Sequence, residues 1–162
     1  MAVLSQILEI LRSWYWTSPR TTFFVNPLTI FTIDSLVRRR WMLPDFRFVV
    51  LLAWGYLQYR LVGQYRTVEG GGPGGVSRGL PEHLVTHGPY ALTRNPMYLG
   101  HLIFSLGLIL SFRSPIAAIL ALTRLIYFVR RVDLDEERLE QAFGDSYRSY
   151  KRQVRRWIPG VI

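Results

Sequence analysis

Residues 97–129 read MYLGHLIFSLGLILSFRSPIAAILALTRLIYFV, and this apolar stretch decides the fold. It has one interruption, Arg-Ser-Pro at residues 113–115, where the proline can begin a helix but cannot continue one from upstream. The pattern therefore predicts two helices of about 16 residues joined by a tight turn, a hairpin that would span most of a bilayer. Gly100 and Gly107, seven residues apart, would lie on one face and allow close helix packing.

The charged residues lie between the apolar blocks instead of along amphipathic stripes, which is typical of a membrane protein. The chain of 162 residues has a net charge of +9, and Lys151 is its only lysine. Its arginines cluster at the ends of the blocks, at residues 38–40, 130–131 and 155–156. Arginines at such places contact lipid head groups, so we expect a membrane as partner and no nucleic acid. The length predicts a single domain over residues 1–162.

The composition excludes several kinds of site. The absence of cysteine excludes a disulfide framework, a thiolate nucleophile and a cysteine metal site. The three histidines, at positions 83, 87 and 101, are too few and too scattered to predict zinc, so no metal is expected. The glycine-rich segment 70–75 predicts a flexible loop, because no strand precedes it and no P-loop lysine follows it.

The first half of the chain, residues 1–75, predicts membrane helices and a loop. Residues 2–16 have helical spacing and predict a helix on the membrane surface, a buried packing helix being the alternative. No signal-peptide pattern is present, so we expect this segment to remain on the mature protein. Asn26 and Pro27 predict a helix start with the asparagine as cap, and this helix would end at the triple arginine. Residues 46–63 predict a membrane-spanning helix.

The C-terminal tail predicts a cytosolic helix that folds back onto the membrane domain. Residues 133–157 have helical periodicity and end at Ile158-Pro159. Their apolar stripe consists of Leu139, Phe143, Tyr147, Tyr150 and Val154. The arginines on both flanks of the hairpin predict that these flanks, and an active site between them, lie on the cytoplasmic face. The same rule would also place Arg38–Arg40 on the cytoplasmic face, whereas a single span over 46–63 would place them on the opposite face. The orientation of the N-terminal half therefore stays open.

An acidic tract follows the hairpin, and six of the eleven acidic residues fall between Asp133 and Asp145. On a helix, four of these carboxylates share one face and repel one another. The four are Asp133, Glu136, Glu137 and Glu140. One interpretation is a solvated face balanced by arginines, namely Arg130, Arg131 and Arg138. The other interpretation is a binding site for a cationic ligand.

A polar run, HGPYALTRNPMYLG at residues 87–100, precedes the hairpin. Asn95 could cap a helix that Pro96 opens. A helix N-terminus beside Arg94 favours anions and suits a carboxylate. Taken alone, the run could also be an ordinary helix start at the membrane surface.

Two motifs together resemble a known family. The segment GPYALTRNPMYLG, the apolar hairpin and the segment DEERLEQAFGDSYRSYKRQVRRWIP follow one another in the order found in isoprenylcysteine carboxyl methyltransferases and their relatives, the phospholipid N-methyltransferases. The resemblance covers residues 82–159, and residues 1–75 have no signature that matches. It implies an all-α, integral membrane helical bundle, with a C-terminal helical hairpin and a cytosolic tail helix. It also implies methyl transfer from S-adenosylmethionine without a Rossmann domain.

The resemblance implies roles for individual residues. Those expected to bind the cofactor are Glu82, His83, Leu84, Val85, Tyr90, Asn95, Pro96, Met97, Tyr98, Asp135, Glu136 and Glu137. The spacing from Phe143-Gly144 assigns the family's acidic pair to Asp135 and Glu136. Matching by residue type alone would assign the family's Glu-Glu pair to Glu136 and Glu137. Arg94 and Glu136 are expected to be catalytic, with Arg94 binding the cofactor's carboxylate. Arg131 is expected to face the substrate, and Asn95 stands where the best-known members have a histidine.

We therefore predict a multi-pass membrane methyltransferase that acts on a lipidic or apolar small molecule through a carboxylate, amine or thiol. The sequence does not identify this acceptor or the oligomeric state. Two other functions are considered. One is an NADPH-dependent membrane reductase of the sterol type, and the other is a membrane scaffold or binding protein without catalysis.

Overall fold

The computed structural model describes residues 19–41, 43–72, 76 and 79–157, and the predicted surface helix at 2–16 lies outside them. Within these ranges the regular elements are all helical and there is no strand. This agrees with the predicted all-α class. The order of the helices along the chain also follows the predicted order of apolar blocks.

The first helix, α1, is Asn26–Arg38, and a π-helical turn at Thr21–Val25 precedes it. The prediction that Asn26 caps this helix is wrong, because Asn26 is itself helical and its amide donates to the carbonyl of Thr21. Pro27 still occupies the first α-helical turn, where its missing N–H costs little. The helix ends as predicted at the triple arginine, with Arg39 in the left-handed conformation at φ +50°.

The second helix, α2, is Val49–Gly70, and a 3₁₀ turn at Phe46–Phe48 leads into it. Asp45 caps that turn by accepting a hydrogen bond of 3.1 Å from the amide of Arg47. The predicted helix at 46–63 is therefore present but continues to Gly70, where Gly71 with φ +67° ends it. A short helix, α3, follows at Pro89–Leu92.

The predicted hairpin is confirmed, with α4 at Pro96–Phe112 and α5 at Pro115–Gln153. In the turn, the hydroxyl of Ser114 accepts hydrogen bonds from the amides of Ile116 and Ala117, at 3.1 and 3.4 Å. This side chain therefore caps the start of α5.

The tail follows the second arm of the hairpin without an intervening loop, and a kink separates the two, so that Pro115–Gln153 consists of two helical segments. The path of this helix breaks once, at Gly144, whose φ of +52° and ψ of −124° are accessible mainly to glycine. The break turns the last helical residues back toward the rest of the molecule. The helix then ends at Gln153, before the predicted end at Ile158-Pro159, which lies outside the described residues.

Close contact between α2 and α4 forms the centre of the fold. A Cβ added to Gly55 would lie 2.6 Å from the backbone nitrogen of Phe104, and one added to Gly100 would lie 2.8 Å from the carbonyl oxygen of Gly55. A Cβ on Gly107 would lie 2.8 Å from a methyl carbon of Leu52. The prediction that Gly100 and Gly107 allow close packing is confirmed, and their partner is α2.

Two buried clusters surround this contact. The first lies where α1 meets the hairpin and contains Phe23, Ile30, Phe104, Leu108, Phe112 and Ala117. The second joins α2, α3 and the tail, and contains Val62, Val85, Tyr90, Tyr147 and Tyr150. The predicted tail stripe is confirmed, since its five residues either belong to the second cluster or pack against it. Among the helices described here, none is both long and apolar enough to count as a membrane span.

We predict that Gly55→Ala lowers the free energy of unfolding by about 1–3 kcal/mol, because the new methyl group meets backbone atoms that cannot move aside. The measurement is thermal or denaturant unfolding of the detergent-purified protein. The matched control is Gly63→Ala on the same helix, where the added Cβ would meet only the flexible end of Met97 at 3.4 Å. Equal stability of the two variants would contradict the proposed importance of the α2–α4 contact.

Candidate functional site

A cavity of about 440 Å³ opens where α2, the segment before α4 and the middle of α5 meet. Its walls carry both signs of charge. The arginines that line it are Arg60, Arg66, Arg94, Arg124 and Arg131, and the carboxylates are Asp135 and Glu136. Aromatic side chains form much of the remaining wall, namely Tyr59, Tyr90, Tyr98, Tyr127, Phe128, Tyr147 and Tyr150. A cavity that combines buried charges and aromatic walls is suited to a polar small molecule with an aromatic part.

A buried ion pair joins the two sequence motifs. Arg94 Nε lies 3.0 Å from Glu136 Oε1, and the two side chains are only 10% and 5% exposed. The pair engages Arg94 with a side chain of the protein itself, whereas Arg94 was expected to bind the cofactor's carboxylate. The hairpin brings the two residues to the same end of the bundle, and opposite charges buried there pair strongly.

The same arginine anchors the end of the chain. Its Nη1 donates hydrogen bonds to the carbonyl oxygens of Lys151 at 3.1 Å and Val154 at 2.7 Å. Glu136 has a second partner, since its Oε2 accepts a hydrogen bond of 2.9 Å from Arg156 Nη2. Arg94 and Glu136 therefore hold the tail against the cavity.

Asp135 forms a second polar group with Tyr98 and Arg131. The hydroxyl of Tyr98 donates to Asp135 Oδ2 at 2.6 Å, and Arg131 Nη2 lies 3.0 Å from Oδ1. Oδ1 is buried but accepts no hydrogen bond of acceptable geometry. The carboxylate of Asp135 thus retains capacity to bind a donor. Arg131, expected to face the substrate, does line the cavity.

The acidic tract divides into residues inside and outside the cavity. Asp135 and Glu136 are each 4% exposed and line the cavity, whereas Glu137 is exposed on the opposite side of α5. The structure therefore brings together the pair predicted from the spacing to Phe143-Gly144. Their role in binding remains a prediction.

The outer carboxylates pair with cations from beyond the break in α5. Asp133 pairs with Arg156 at 2.8 Å, and Glu140 pairs with Lys151 at 3.0 Å. The hydrogen bond from Lys151 lowers the pKa of Glu140. Of the three arginines expected to balance the tract, Arg131 pairs with Asp135, whereas Arg130 and Arg138 are exposed and form no ion pair among the described residues. The other compensating charges come from the tail.

Some of the other residues predicted to bind the cofactor line the cavity, and others do not. Those that line the cavity are Leu84, Val85, Tyr90, Asn95, Met97 and Tyr98. Glu82 and His83 are exposed and do not line it, contrary to expectation. Pro96 is buried at the start of α4, and its carbonyl accepts a hydrogen bond of 2.9 Å from Gln58 Nε2.

Asn95 does not cap α4, although it precedes the helix as predicted. Its side chain donates instead to the carbonyl oxygen of Arg156 at 3.2 Å, and Thr93 Oγ1 donates to the same oxygen at 3.0 Å. The hydroxyl of Tyr150 donates to the carbonyl of Tyr90 at 2.6 Å. The tail thus forms hydrogen bonds with the polar groups at the start of the hairpin, and it closes one side of the cavity.

The cavity residues missed in the sequence include three that are buried and ionisable: Arg66, Arg124 and His101. Arg66 lies in the half of the chain without a family signature, and Arg124 lies in the stretch described as apolar with one interruption. His101 is buried and stacks on Phe23 with ring centroids 4.6 Å apart. The available signal was the presence of ionisable residues within apolar helices, which usually marks a functional interior.

The charge of Arg66 affects the pKa of the Tyr90 hydroxyl. Burial raises the pKa of the Tyr90 hydroxyl to about 12, and the positive charge of Arg66 partly opposes this shift. Tyr90 is therefore a neutral hydroxyl at physiological pH and forms part of the cavity wall.

We predict that Arg94→Met lowers the free energy of unfolding by about 3 kcal/mol. This value is near the lower end of the cost of removing one partner from a buried ion pair, because Arg156 still neutralises Glu136. The double variant Arg94→Met/Glu136→Gln should lose about 1 kcal/mol less than the sum of the two single variants. Denaturant unfolding measures the coupling, and Glu137→Gln is the exposed control. Strict additivity of the two substitutions would contradict the pairing.

Comparison with known proteins connects this site to a family. The sequence pattern of the phospholipid methyltransferase family matches residues 72–146. Protein-S-isoprenylcysteine O-methyltransferase A of Arabidopsis thaliana is 38% identical over 79 residues, which cover 48% of this chain and 40% of the relative. The protein-S-isoprenylcysteine O-methyltransferase of Schizosaccharomyces pombe is 39% identical over 79 residues, which cover 47% of this chain and 33% of the relative. The matched segments thus cover less than half of the length of these relatives.

The fold is similar to that of a solved structure of the eukaryotic intramembrane Ras methyltransferase, isoprenylcysteine carboxyl methyltransferase. The TM-score is 0.54 at 22% sequence identity, over 97% of this chain and 53% of the other. The sequence match contains the polar run, the hairpin and the acidic pair that build the cavity. By these motifs residues 72–146 are similar in sequence to phospholipid methyltransferases and protein-S-isoprenylcysteine O-methyltransferases, and the helical fold of the chain is similar to that of isoprenylcysteine carboxyl methyltransferase.

Proposed function

We propose that this protein is a membrane methyltransferase that uses S-adenosylmethionine and acts on a lipidic or apolar small molecule. The observation that carries the proposal is the convergence of the family's motif residues on one cavity. Seven residues between positions 84 and 98, the pair Asp135 and Glu136, and the two tail tyrosines are far apart in sequence but line the same space.

The residues present fit the cofactor. S-adenosylmethionine has an ammonium group, a carboxylate and an aromatic base, and the cavity offers buried carboxylates, buried arginines and tyrosines. Asp135 Oδ1 and Arg66 Nη2 are among the buried polar atoms of its lining that form no hydrogen bond within the described residues, although Asp135 Oδ1 lies 3.0 Å from Arg131 Nη2. Unsatisfied buried groups are costly, and a ligand of opposite charge would satisfy both. The volume of about 440 Å³ also lies within the range of about 300–1,000 Å³ of small-molecule sites.

The chemistry requires alignment more than proton transfer. S-adenosylmethionine, when bound, supplies a methyl group on a positively charged sulfur, and the electron pair of the broken carbon–sulfur bond stays on that sulfur when a nucleophile takes the methyl group. The protein's part is to orient both molecules, which alone can contribute several kcal/mol. Asp135 would hold the ammonium group, and Tyr98 fixes the rotamer of Asp135 by hydrogen bonding.

Arg94 and Glu136 act in this scheme as positioning residues. Their pair is satisfied by the protein itself, and it keeps the tail in place. Tyr147 and Tyr150 from the tail close the cavity wall and exclude water, which strengthens every charge interaction within it. Arg131 lines the same cavity and is the side chain that we assign to the acceptor.

The apolar exterior suits a membrane and an acceptor that arrives from it. Large apolar side chains are exposed on α2, α4 and α5, including Trp54, Leu57, Leu61, Leu106, Ile119, Leu122 and Ile126. Many large apolar side chains exposed on the same helices favour contact with lipid or another protein. The arginines near the cavity favour a site on the cytoplasmic face. The relatives are named protein-S-isoprenylcysteine O-methyltransferases, so a carboxylate on a lipid-like molecule is the first acceptor class to test.

The test is incubation of membranes that contain the protein with methyl-labelled S-adenosylmethionine, followed by separation into lipid, small-molecule and protein pools. We expect protein-dependent label in an apolar pool. Absence of label in every pool across a broad set of acceptors would contradict the proposal. Tight binding of NADPH without binding of S-adenosylmethionine would indicate a reductase instead.

We predict that Asp135→Asn weakens the binding of S-adenosylmethionine by about 10- to 100-fold, the value of one charge-assisted contact of about 1.5–3 kcal/mol. Isothermal titration calorimetry on the detergent-purified protein measures this. Glu137→Gln is the matched control, since it removes a neighbouring but exposed carboxylate from the same helix. An equal effect of the two substitutions would show that long-range charge, and not a contact in the cavity, is responsible.

A further inference from the structure

We infer that Arg66 is the receptor for the carboxylate of the bound cofactor, an assignment that rests on the proposed function. Arg94 was the residue expected to have this role. The ion pair with Glu136 and the two carbonyl contacts occupy Arg94, so another cation must serve.

Arg66 is a buried cation for which residues 19–41, 43–72, 76 and 79–157 provide no ion-pair partner. The residue is only 6% exposed on α2, and it lines the cavity. Within the part of the chain that the structure describes, it has neither an ion pair nor a hydrogen bond, and its Nη2 is buried without a partner. An uncompensated buried guanidinium is strongly unfavourable, and binding of an anion removes that penalty.

The other arginines of the cavity are less suited to this role. Arg131 already lies beside the carboxylate of Asp135. Arg60 lies on the same helix as Arg66, but it is exposed, and water can solvate its charge. Arg124 lies deeper, beside the ring of Tyr127 and within the hairpin. Arg66 is the arginine whose burial and lack of partners together favour an external anion.

The chemistry of the group favours a carboxylate. A guanidinium donates two parallel hydrogen bonds to the two oxygens of a carboxylate. Val85 and Tyr90, which line the same cavity as Arg66, lower the local dielectric. Asp135 supplies the opposite charge in the same cavity. The two residues would thus bind the two charged groups of one amino acid moiety, Arg66 the carboxylate and Asp135 the ammonium.

The experiment compares two nucleosides on two proteins by isothermal titration calorimetry in detergent or nanodiscs. One ligand is S-adenosylmethionine, and the other is its decarboxylated form, which keeps the sulfonium and ammonium groups. We expect the native chain to bind the decarboxylated form about 10- to 100-fold more weakly. Arg66→Met should bind S-adenosylmethionine about as weakly and no longer distinguish the two ligands.

Two further variants make the result interpretable. Arg66→Lys keeps the charge but not the paired donors, so it should recover part of the lost affinity. Arg138→Met removes an exposed arginine from α5 and should bind both ligands as the native chain does. Circular dichroism and thermal unfolding verify that each variant folds. If Arg66→Met does not fold, the comparison of the two ligands on the native chain and on Arg66→Lys still tests the assignment.

The possible failures are distinguishable. If the native chain binds neither nucleoside, the proposed function itself is contradicted. If the native chain binds both equally, no residue recognises the carboxylate and the assignment of Arg66 is overturned. If Arg66→Met still prefers the carboxylated ligand as strongly as the native chain does, another residue binds that group. If Arg66→Met binds the cofactor normally but an anionic acceptor weakly, Arg66 belongs to the acceptor site.

Discussion

The buried ion pair between Arg94 and Glu136 is the interaction on which the rest of the site depends. It joins the polar run before the hairpin to the acidic tract after it, and both members also hold the tail, Arg94 through two carbonyls and Glu136 through Arg156. A buried pair of this kind contributes little net stability relative to apolar groups, but it is costly to break. It therefore specifies one arrangement of the tail instead of simply stabilising the fold.

The hairpin makes that pair possible, and small residues make the hairpin compact. Gly55 and Gly100 let the backbones of α2 and α4 approach until no side chain fits between them. This contact places Arg66, on α2, in the same cavity as the motif residues. The half of the chain without a family signature therefore contributes a wall and a buried charge to the site.

The break at Gly144 is the other feature that completes the cavity. Its backbone conformation is accessible mainly to glycine, and it redirects α5 so that Tyr147 and Tyr150 pack against Val62, Val85 and Tyr90. Lys151 and Arg156 then neutralise carboxylates that would otherwise repel one another along the helix. The tail is thus both a lid of aromatic side chains and a source of positive charge.

The sequence by itself determined the hairpin, its turn, the helix face that carries Gly100 and Gly107, and the apolar stripe of the tail. These features depend on local periodicity and on the conformational limits of proline and glycine. It also predicted that Asp135 and Glu136 are the pair that the family spacing selects. Only the tertiary structure decided which charges pair with one another and which stay unsatisfied. Arg94 pairs with Glu136, Asn95 donates a hydrogen bond to the tail, and Arg66 is buried with no ion-pair partner among the described residues. Such pairing depends on distances between segments that are far apart along the chain.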